Sequence, residues 1–458
     1  MAKRTLEADY LVVGCGAAGM AFTDSLIAAS NAQVIMVDRR HAPGGHWNVG
    51  YPFLRLHQPS SYYGVNSMPL GGDAIDRDGW YERAGAPEIC GYFDRVMQQR
   101  LLPSGQVRYF PNCDYTGERR FMSRITGEEL EVKVKKRLVD TTYLQPSVPA
   151  SSPPPFEVAK EARCVAVNEL PRLAAGACGY VIIGGGKTAI DACLWLLEIG
   201  VPPRDIRWVK ARESWLANRA FLQGGERVGK FIEGLSLQLE VAAQATSLDD
   251  LYQRLHAAKQ WLRIEAGPTP TKYTSAIVTE TELAELARIE NVVRLGHVRR
   301  LERDAIVLDG GKVPTSPDHL HVHCAARGLN PAPAVQMFTD DRITLQPIRT
   351  GLIPFNAAMV AYVEATRHDI VEKNRLCPPN PFPQVALDWV RGMVVQMNAD
   401  YLWGKEPDIA DWLEGARLNI SRGLRSRSHE ALVHEAMKRY VANVRPGIEK
   451  LSAYSLVS

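Results

Sequence analysis

The sequence has eight cysteines and no CxxC pair; they stand singly at positions 15, 90, 113, 164, 178, 193, 324 and 377. That spacing excludes a zinc ribbon and a disulfide framework, and it counts against a dithiol-based reductase. There is no apolar run long enough to span a bilayer, and no signal-peptide core ahead of the strand-like run at Tyr10. A cytoplasmic protein is expected, with its thiols serving as small buried hydrophobes. Neither charge sign dominates: 54 Lys and Arg against 51 Asp and Glu leave +3. Such a balance gives no reason to expect nucleic acid or a membrane as partner. Tandem repeats and low-complexity segments are also missing. What is left is a chain of 458 residues, 46% hydrophobic and 23% charged, the composition of an ordinary globular protein of two or three domains.

Two segments share one design. Tyr10–Val13 is a short apolar run followed by Gly14-Cys-Gly16-Ala17-Ala18-Gly19 and a helical stretch to about Ala29. Tyr180–Ile183 is a second run followed by Gly184-Gly-Gly186-Lys187-Thr188-Ala189 and a helical stretch to Ile199, closed by Gly200 and Pro202-Pro203. Each helix leads to another apolar strand, Gln33–Val37 and Ile206–Val209. Strand, glycine turn and helix together make an anion site. The first glycine makes the tight turn, the second lets backbone approach a pyrophosphate, and the third position packs helix on sheet. Asp38, followed by Arg39, closes the second strand of the first unit, where an acid takes ribose hydroxyls and repels a 2′-phosphate. The first loop therefore suits FAD or NAD. The second unit ends Arg207-Trp-Val-Lys210-Ala-Arg212, with cations in place of the acid. Lys210 and Arg212 there favour NADPH over NADH; ordinary surface cations are the alternative.

Elsewhere the chain is punctuated. Pro146–Pro155 is rich in Pro and Ser and reads as an extended linker. From Trp215 to Glu290 the pattern is helical. Ser247–Asp250 is a capping box ahead of Leu251, Leu255, Ala258 and Leu262, and Thr279–Glu282 is a second box. Asp309-Gly310-Gly311 reads as a tight turn, and Asp408 to about Val444 as amphipathic helix.

With both loops placed, and with Gly44-Gly45-His46-Trp47 after Asp38, the sequence resembles the flavin-containing monooxygenases and, more distantly, the Baeyer–Villiger monooxygenases. The resemblance runs from Asp9 to about Ala365. It implies an α/β fold of two Rossmann-like dinucleotide-binding domains, with a helical insertion and C-terminal helices. The first part of the FAD domain would be 1–170, the NADPH domain 171–325, and the second part of the FAD domain 326–458. It also implies return of the chain to the FAD domain through His319–Cys324. FAD and NADPH are the implied cofactors. In that family NADPH reduces FAD, and the reduced flavin reacts with O2 through a C4a-peroxyflavin to oxygenate a small or medium organic substrate. The GGxW element, with Gly45, His46 and Trp47, would pack near the flavin, His57 and Gln58 would touch its ring, and Asn66 would be the catalytic amide. A turn role for Asn66 stays open beside that.

The family's identifying Phe, Gly and His between the two domains have no match in Phe156–Val165. The alternative is thus an NADPH-dependent FAD oxidoreductase that inserts no oxygen. His319, His321 and His323 share one strand face, which suits a domain seam better than a metal, and no metal is expected. Arg422, Arg425 and Arg427 read as a solvated loop. Self-association is left open.

Overall fold

The computed structural model describes residues 4–144, 146–264, 268–326 and 332–457. Its first sheet has seven strands. Val107–Phe110, Val34–Val37, Arg4–Val13 and Glu129–Asp140 lie side by side and parallel. Glu129–Asp140 is long enough to serve two partners. Its start pairs antiparallel with Arg120–Ser123, and its end pairs parallel with Arg342–Thr344. The register sets Val13 opposite both Val37 and Asp140. The first glycine loop thus leaves the sheet at the carboxyl ends of its central strands, where open α/β sheets hold their ligands.

The second sheet repeats the plan with five parallel strands: Val292–Val293, Ile206–Val209, Tyr180–Ile183, Leu320–His323 and Cys164–Ala166. Tyr180–Ile183 is wholly buried, as both faces of a parallel strand usually are. The second glycine loop follows it, and the helix Lys187–Glu198 covers the sheet. Strand Cys164–Ala166 already belongs to this sheet, ahead of the expected division at 170/171. The His-rich strand is an inner strand of the second sheet, and the chain rejoins the first sheet at Arg342–Thr344. His321 is held on both ring nitrogens, by Thr315 Oγ1 at 2.7 Å and the Arg163 carbonyl at 3.0 Å.

The insertion between Val209 and Val292 departs from the helical expectation. It contains helices Val228–Gln244, Leu248–Ala257 and Glu280–Ala287, but also a three-stranded sheet of Trp261–Leu262, Ser214–Asn218 and Lys272–Val278. Ser247 and Thr279 cap their helices as the boxes foretell. Leu262, however, is not on the helix with Leu251 and Leu255. Lys259 adopts φ +55°, a left-handed residue that ends the helix and turns the chain into a strand. Helical spacing in the sequence runs through that point because short apolar runs serve either period.

Helix Ile353–Thr366 packs with the first-loop helix Ala17–Ala29 in one core. Towards the C-terminus, Pro407–Gly415 and Ala431–Ser455 are helical, separated by turns that carry the three arginines. The last helix lies close on Val228–Gln244: a Cβ on Gly447 would stand 2.6 Å from the Leu239 carbonyl oxygen. Helix Ala386–Gly404 closes the same core.

Candidate functional site between the two glycine loops

Both glycine loops line a single cavity of about 1510 Å³. A site for one drug-sized ligand has roughly 300–1,000 Å³. This space is larger, and two helix N-termini border it, so two extended ligands can share it.

At the first loop the sequence dictates the geometry closely. A Cβ on Gly19 would fall 2.1 Å from the Gly14 carbonyl oxygen, so helix and strand can meet only through glycine. Gly16 is different. A Cβ there would meet nothing among the described atoms nearer than Gly45 Cα at 3.5 Å, so the space above it belongs to the cavity. Asp38 is buried at the wall. Its Oδ2 accepts the Cys15 N–H at 2.6 Å and its Oδ1 the Arg40 N–H at 2.8 Å, which ties strand end to loop. Ala17, Ala18 and Arg39 line the same wall.

The GGxW element forms the short helix Gly45–Val49. His46 stacks on Trp47 with centroids 5.3 Å apart, and Trp47 Nε1 donates to Tyr63 Oη at 2.7 Å. Burial, helped by the Arg40 charge, pushes the His46 imidazole down to about 4. It is therefore neutral at physiological pH. Both residues line the cavity. Beyond them, Tyr51 Oη donates to Asp191 Oδ2 at 2.7 Å, and Lys187 pairs with the other oxygen of Asp191. The segment after GGxW is thereby fastened to the second-loop helix.

His57 and Gln58 also line the cavity. Gln58 is 7% exposed, yet its Nε2 has no hydrogen-bond partner among the described residues. A dry, unpaired amide donor is costly. Burial, then the charges of Lys187, Arg83 and Arg219, hold the His57 imidazole far below its usual range. Arg83 and Arg219 grip one carboxylate, Glu282, at 3.0 and 2.6 Å. Burial pushes that carboxyl up, but Arg219, Lys187 and Arg83 outweigh it and bring it down to about 2. From its spacing Glu282 is expected only to cap a helix, which it also does, accepting the Thr279 N–H at 2.9 Å. No local signal could have announced the two arginines, 63 and 199 positions away.

Asn66, expected as the catalytic amide, lies off the cavity wall. It is not among the described residues that line the cavity. Its Nδ2 donates to Ser25 Oγ at 3.4 Å, near the far end of the first-loop helix, and its Oδ1 accepts the Leu418 N–H at 3.2 Å. Its turn, bridged by Gly64 and Pro69, fixes it there. The turn role is the one the structure displays.

The second loop opens on the cavity through Gly184, Gly186, Lys187 and Thr188; Ala189 packs inward, fully buried. A Cβ on Gly186 would meet no described atom within 4 Å. At the end of the second strand the two cations part company. Lys210 is 2% exposed, its Nζ donates to Glu213 Oε2 at 2.9 Å and it sits 4.6 Å from the Trp208 ring centroid. It is a buried ion-pair partner and not among the described cavity-lining residues, so it departs from the phosphate-facing role expected of it. Arg294 takes the other Glu213 oxygen at 2.8 Å. Burial raises the Glu213 carboxyl, but Arg294 and Lys210 hold it below its usual value. The acid nearest the second strand end is thus engaged on both oxygens. Arg212 is exposed and lines the cavity, as does Lys272, whose ammonium is depressed first by burial and then by Arg212. Lys272, on a strand of the insertion, escaped the sequence reading.

Two sheets with parallel central strands, each delivering a glycine loop and a helix N-terminus to one cavity, define an α/β fold of two Rossmann-like units. The chain belongs to the family of the uncharacterized protein Rv2000 of Mycobacterium tuberculosis. The two are 48% identical over 438 residues, 94% of this chain and 81% of that one. Uncharacterized protein Mb2023 of Mycobacterium bovis matches with the same figures. No protein-family model matches the chain. Among solved structures it is similar to a polycyclic ketone monooxygenase from Thermothelomyces thermophila, with 13% identity, 100% of this chain and 90% of that chain covered, and a TM-score of 0.49. It is similar as well to a flavin-containing monooxygenase from Stenotrophomonas maltophilia (14%, 71% and 80%, TM-score 0.42). A bacillithiol disulfide reductase from Bacillus cereus stands at a like distance (12%, 78% and 98%, TM-score 0.43).

Proposed function

We propose that this chain is a flavin-dependent oxidoreductase that takes FAD on the first glycine loop and NADPH on the second, and oxygenates a small or medium organic molecule. The observation that carries this is the convergence of both loops on one cavity, with opposite chemistry at the two strand ends: Asp38 at the first, Arg212 and Lys272 at the second. The open space above Gly16 and the unpaired Gln58 Nε2 suit a flavin dinucleotide. In this reading the helix starting at Ala17 receives the FAD pyrophosphate and Asp38 accepts a ribose hydroxyl. Gln58 Nε2 donates to a polar edge of the flavin ring, with neutral His46 and Trp47 beside it. Gly186 and the helix at Lys187 receive the nicotinamide pyrophosphate. Arg212, with Lys272, takes the 2′-phosphate. FAD, when bound, supplies hydride acceptance and the reaction with oxygen. The protein orients the two nucleotides and keeps water from the ring with the buried wall of Trp47, Tyr62 and Tyr63.

One observation favours a second reading, in which electrons pass to an acceptor and no oxygen is inserted: Phe156–Val165 lacks the glycine and histidine of the monooxygenases. A single turnover separates them. Protein loaded with FAD is reduced by NADPH without air and then mixed with ¹⁸O₂ and a panel of ketones, sulfides, amines and aromatics. Oxygenation predicts ¹⁸O in a product; hydrogen peroxide equal to the NADPH consumed, whatever the compound, supports the second reading.

A further inference from the structure

Two helices, Val228–Gln244 of the insertion and Ala386–Gly404, bring like faces to the cavity. Phe231, Leu235 and Gln238 lie at helical spacing on one, and Trp389, Met393 and Gln396 on the other, all lining the cavity. Neither set contains an ionisable side chain. Gln238 Nε2 donates to Gln260 Oε1 at 3.1 Å, which fixes the Gln260 amide and leaves its Nε2 without a partner among the described residues. Gln260 is 2% exposed and lines the cavity. Beside it Trp261 packs at 4.7 Å from Tyr273 and 5.1 Å from Trp389, an aromatic corner that also faces the cavity.

A buried amide donor fixed on one side and unpaired on the other calls for an acceptor oxygen. Aromatic and thioether walls suit a flat apolar body. Both helix faces lack ionisable groups, so a charged body would lie against them unpaired; the cavity-lining Lys272 and Arg349 stand on other segments. We infer that this part of the cavity is the substrate subsite, and that it takes an uncharged aromatic molecule whose carbonyl-type oxygen accepts from Gln260 Nε2. The inference rests on the oxidoreductase reading for what happens to that molecule, but not for its binding.

Calorimetric titration of FAD-loaded protein without nicotinamide tests it. The probes are acetophenone, ethylbenzene (no acceptor), cyclohexyl methyl ketone (no aromatic ring) and benzoate (charged). Acetophenone should bind roughly tenfold more tightly than each of the other three, a ratio typical of one buried hydrogen bond or aromatic contact. Gln260→Leu should weaken acetophenone by about the same factor and erase its lead over ethylbenzene, while ethylbenzene affinity persists. Should that variant not fold, the wild-type ranking decides alone. Equal affinity for acetophenone and ethylbenzene, or tighter benzoate, overturns the subsite. Flavin reduction by NADPH is measured on the same preparation. Ranked binding without reduction supports the subsite and removes the oxidoreductase reading; reduction without ranking does the reverse.

Discussion

The two glycine loops are built alike and finished differently. At the first, a carboxylate at the strand end is buried, accepts two backbone N–H groups and stays on the cavity wall. At the second, the carboxylate is three residues further on and turned inward onto Lys210 and Arg294, and an arginine takes its place on the wall. The same backbone cradle can therefore serve different nucleotides, because specificity lies in one side chain beyond the second strand and in what neutralises its neighbours. An acid on the cavity wall selects a free ribose; an acid consumed by internal pairing leaves the wall to cations.

The largest effects are expected at the glycines. Gly16→Val should leave the fold intact and abolish FAD loading, because its Cβ meets Gly45 at the ordinary contact distance of 3.5 Å and the rest of its side chain enters the cavity. Gly19→Val should unfold the unit, because its Cβ has no room against Gly14. Flavin content and thermal melting, measured on both, separate ligand space from packing space. If both variants bind FAD, the first loop is not the flavin site.

Next is Lys210. Removing it with Lys210→Met leaves Glu213 buried with one partner fewer, a loss of about 3–5 kcal/mol for broken buried pairs. Denaturant unfolding should register that loss. The folded fraction should still prefer NADPH; loss of preference without loss of stability would put Lys210 back at the phosphate. Arg212→Ala should do the opposite, weakening NADPH by about 1–3 kcal/mol while sparing NADH and stability. Coenzyme titrations read both.

A pH experiment sharpens the seam between the units, where Arg83 of the first and Arg219 of the insertion share Glu282. A carboxyl brought down to about 2 contributes stability that is present above its unfolded value, about 4.3, and is lost as pH falls through that window. Glu282→Gln should flatten the acid limb of the stability curve between those values. A limb of unchanged slope would show the pair to be idle. The smallest effect is expected at Asn66. Asn66→Ala should cost about 1 kcal/mol or less and leave FAD content and NADPH consumption as they were.

Much of this was legible in the sequence, and the boundary is physical. The glycine loops, their helices and strands, the Thr279–Glu282 box and the Ser247 cap are local patterns, and they fold as written; at Ser247–Asp250 the Asp250 carboxylate turns to Thr246 and the box is left half made. Asp38 could be placed because it follows the second strand directly. Lys210 could not, because its partners Glu213 and Arg294 are fixed by tertiary burial that no spacing encodes. The path of the loop that carries Asn66 is set by contacts with Ser25 and Leu418, which no family position encodes. The insertion's small sheet was missed because Trp215, Trp261 and Tyr273 sit in runs too short to declare a period, and Lys259 breaks the helix without a glycine.

Whether two dinucleotides meet in one cavity is decided by an anaerobic titration. FAD-loaded protein is titrated with NADPH while the flavin absorbance near 450 nm is followed, with Gly16→Val and Arg212→Ala in parallel. The expected result is one FAD per chain, bleached by one NADPH, with the Gly16 variant colourless and the Arg212 variant bleached only at higher NADPH. A wild-type protein that cannot be loaded with FAD, or whose bound flavin stays oxidised under excess NADPH, would contradict the account.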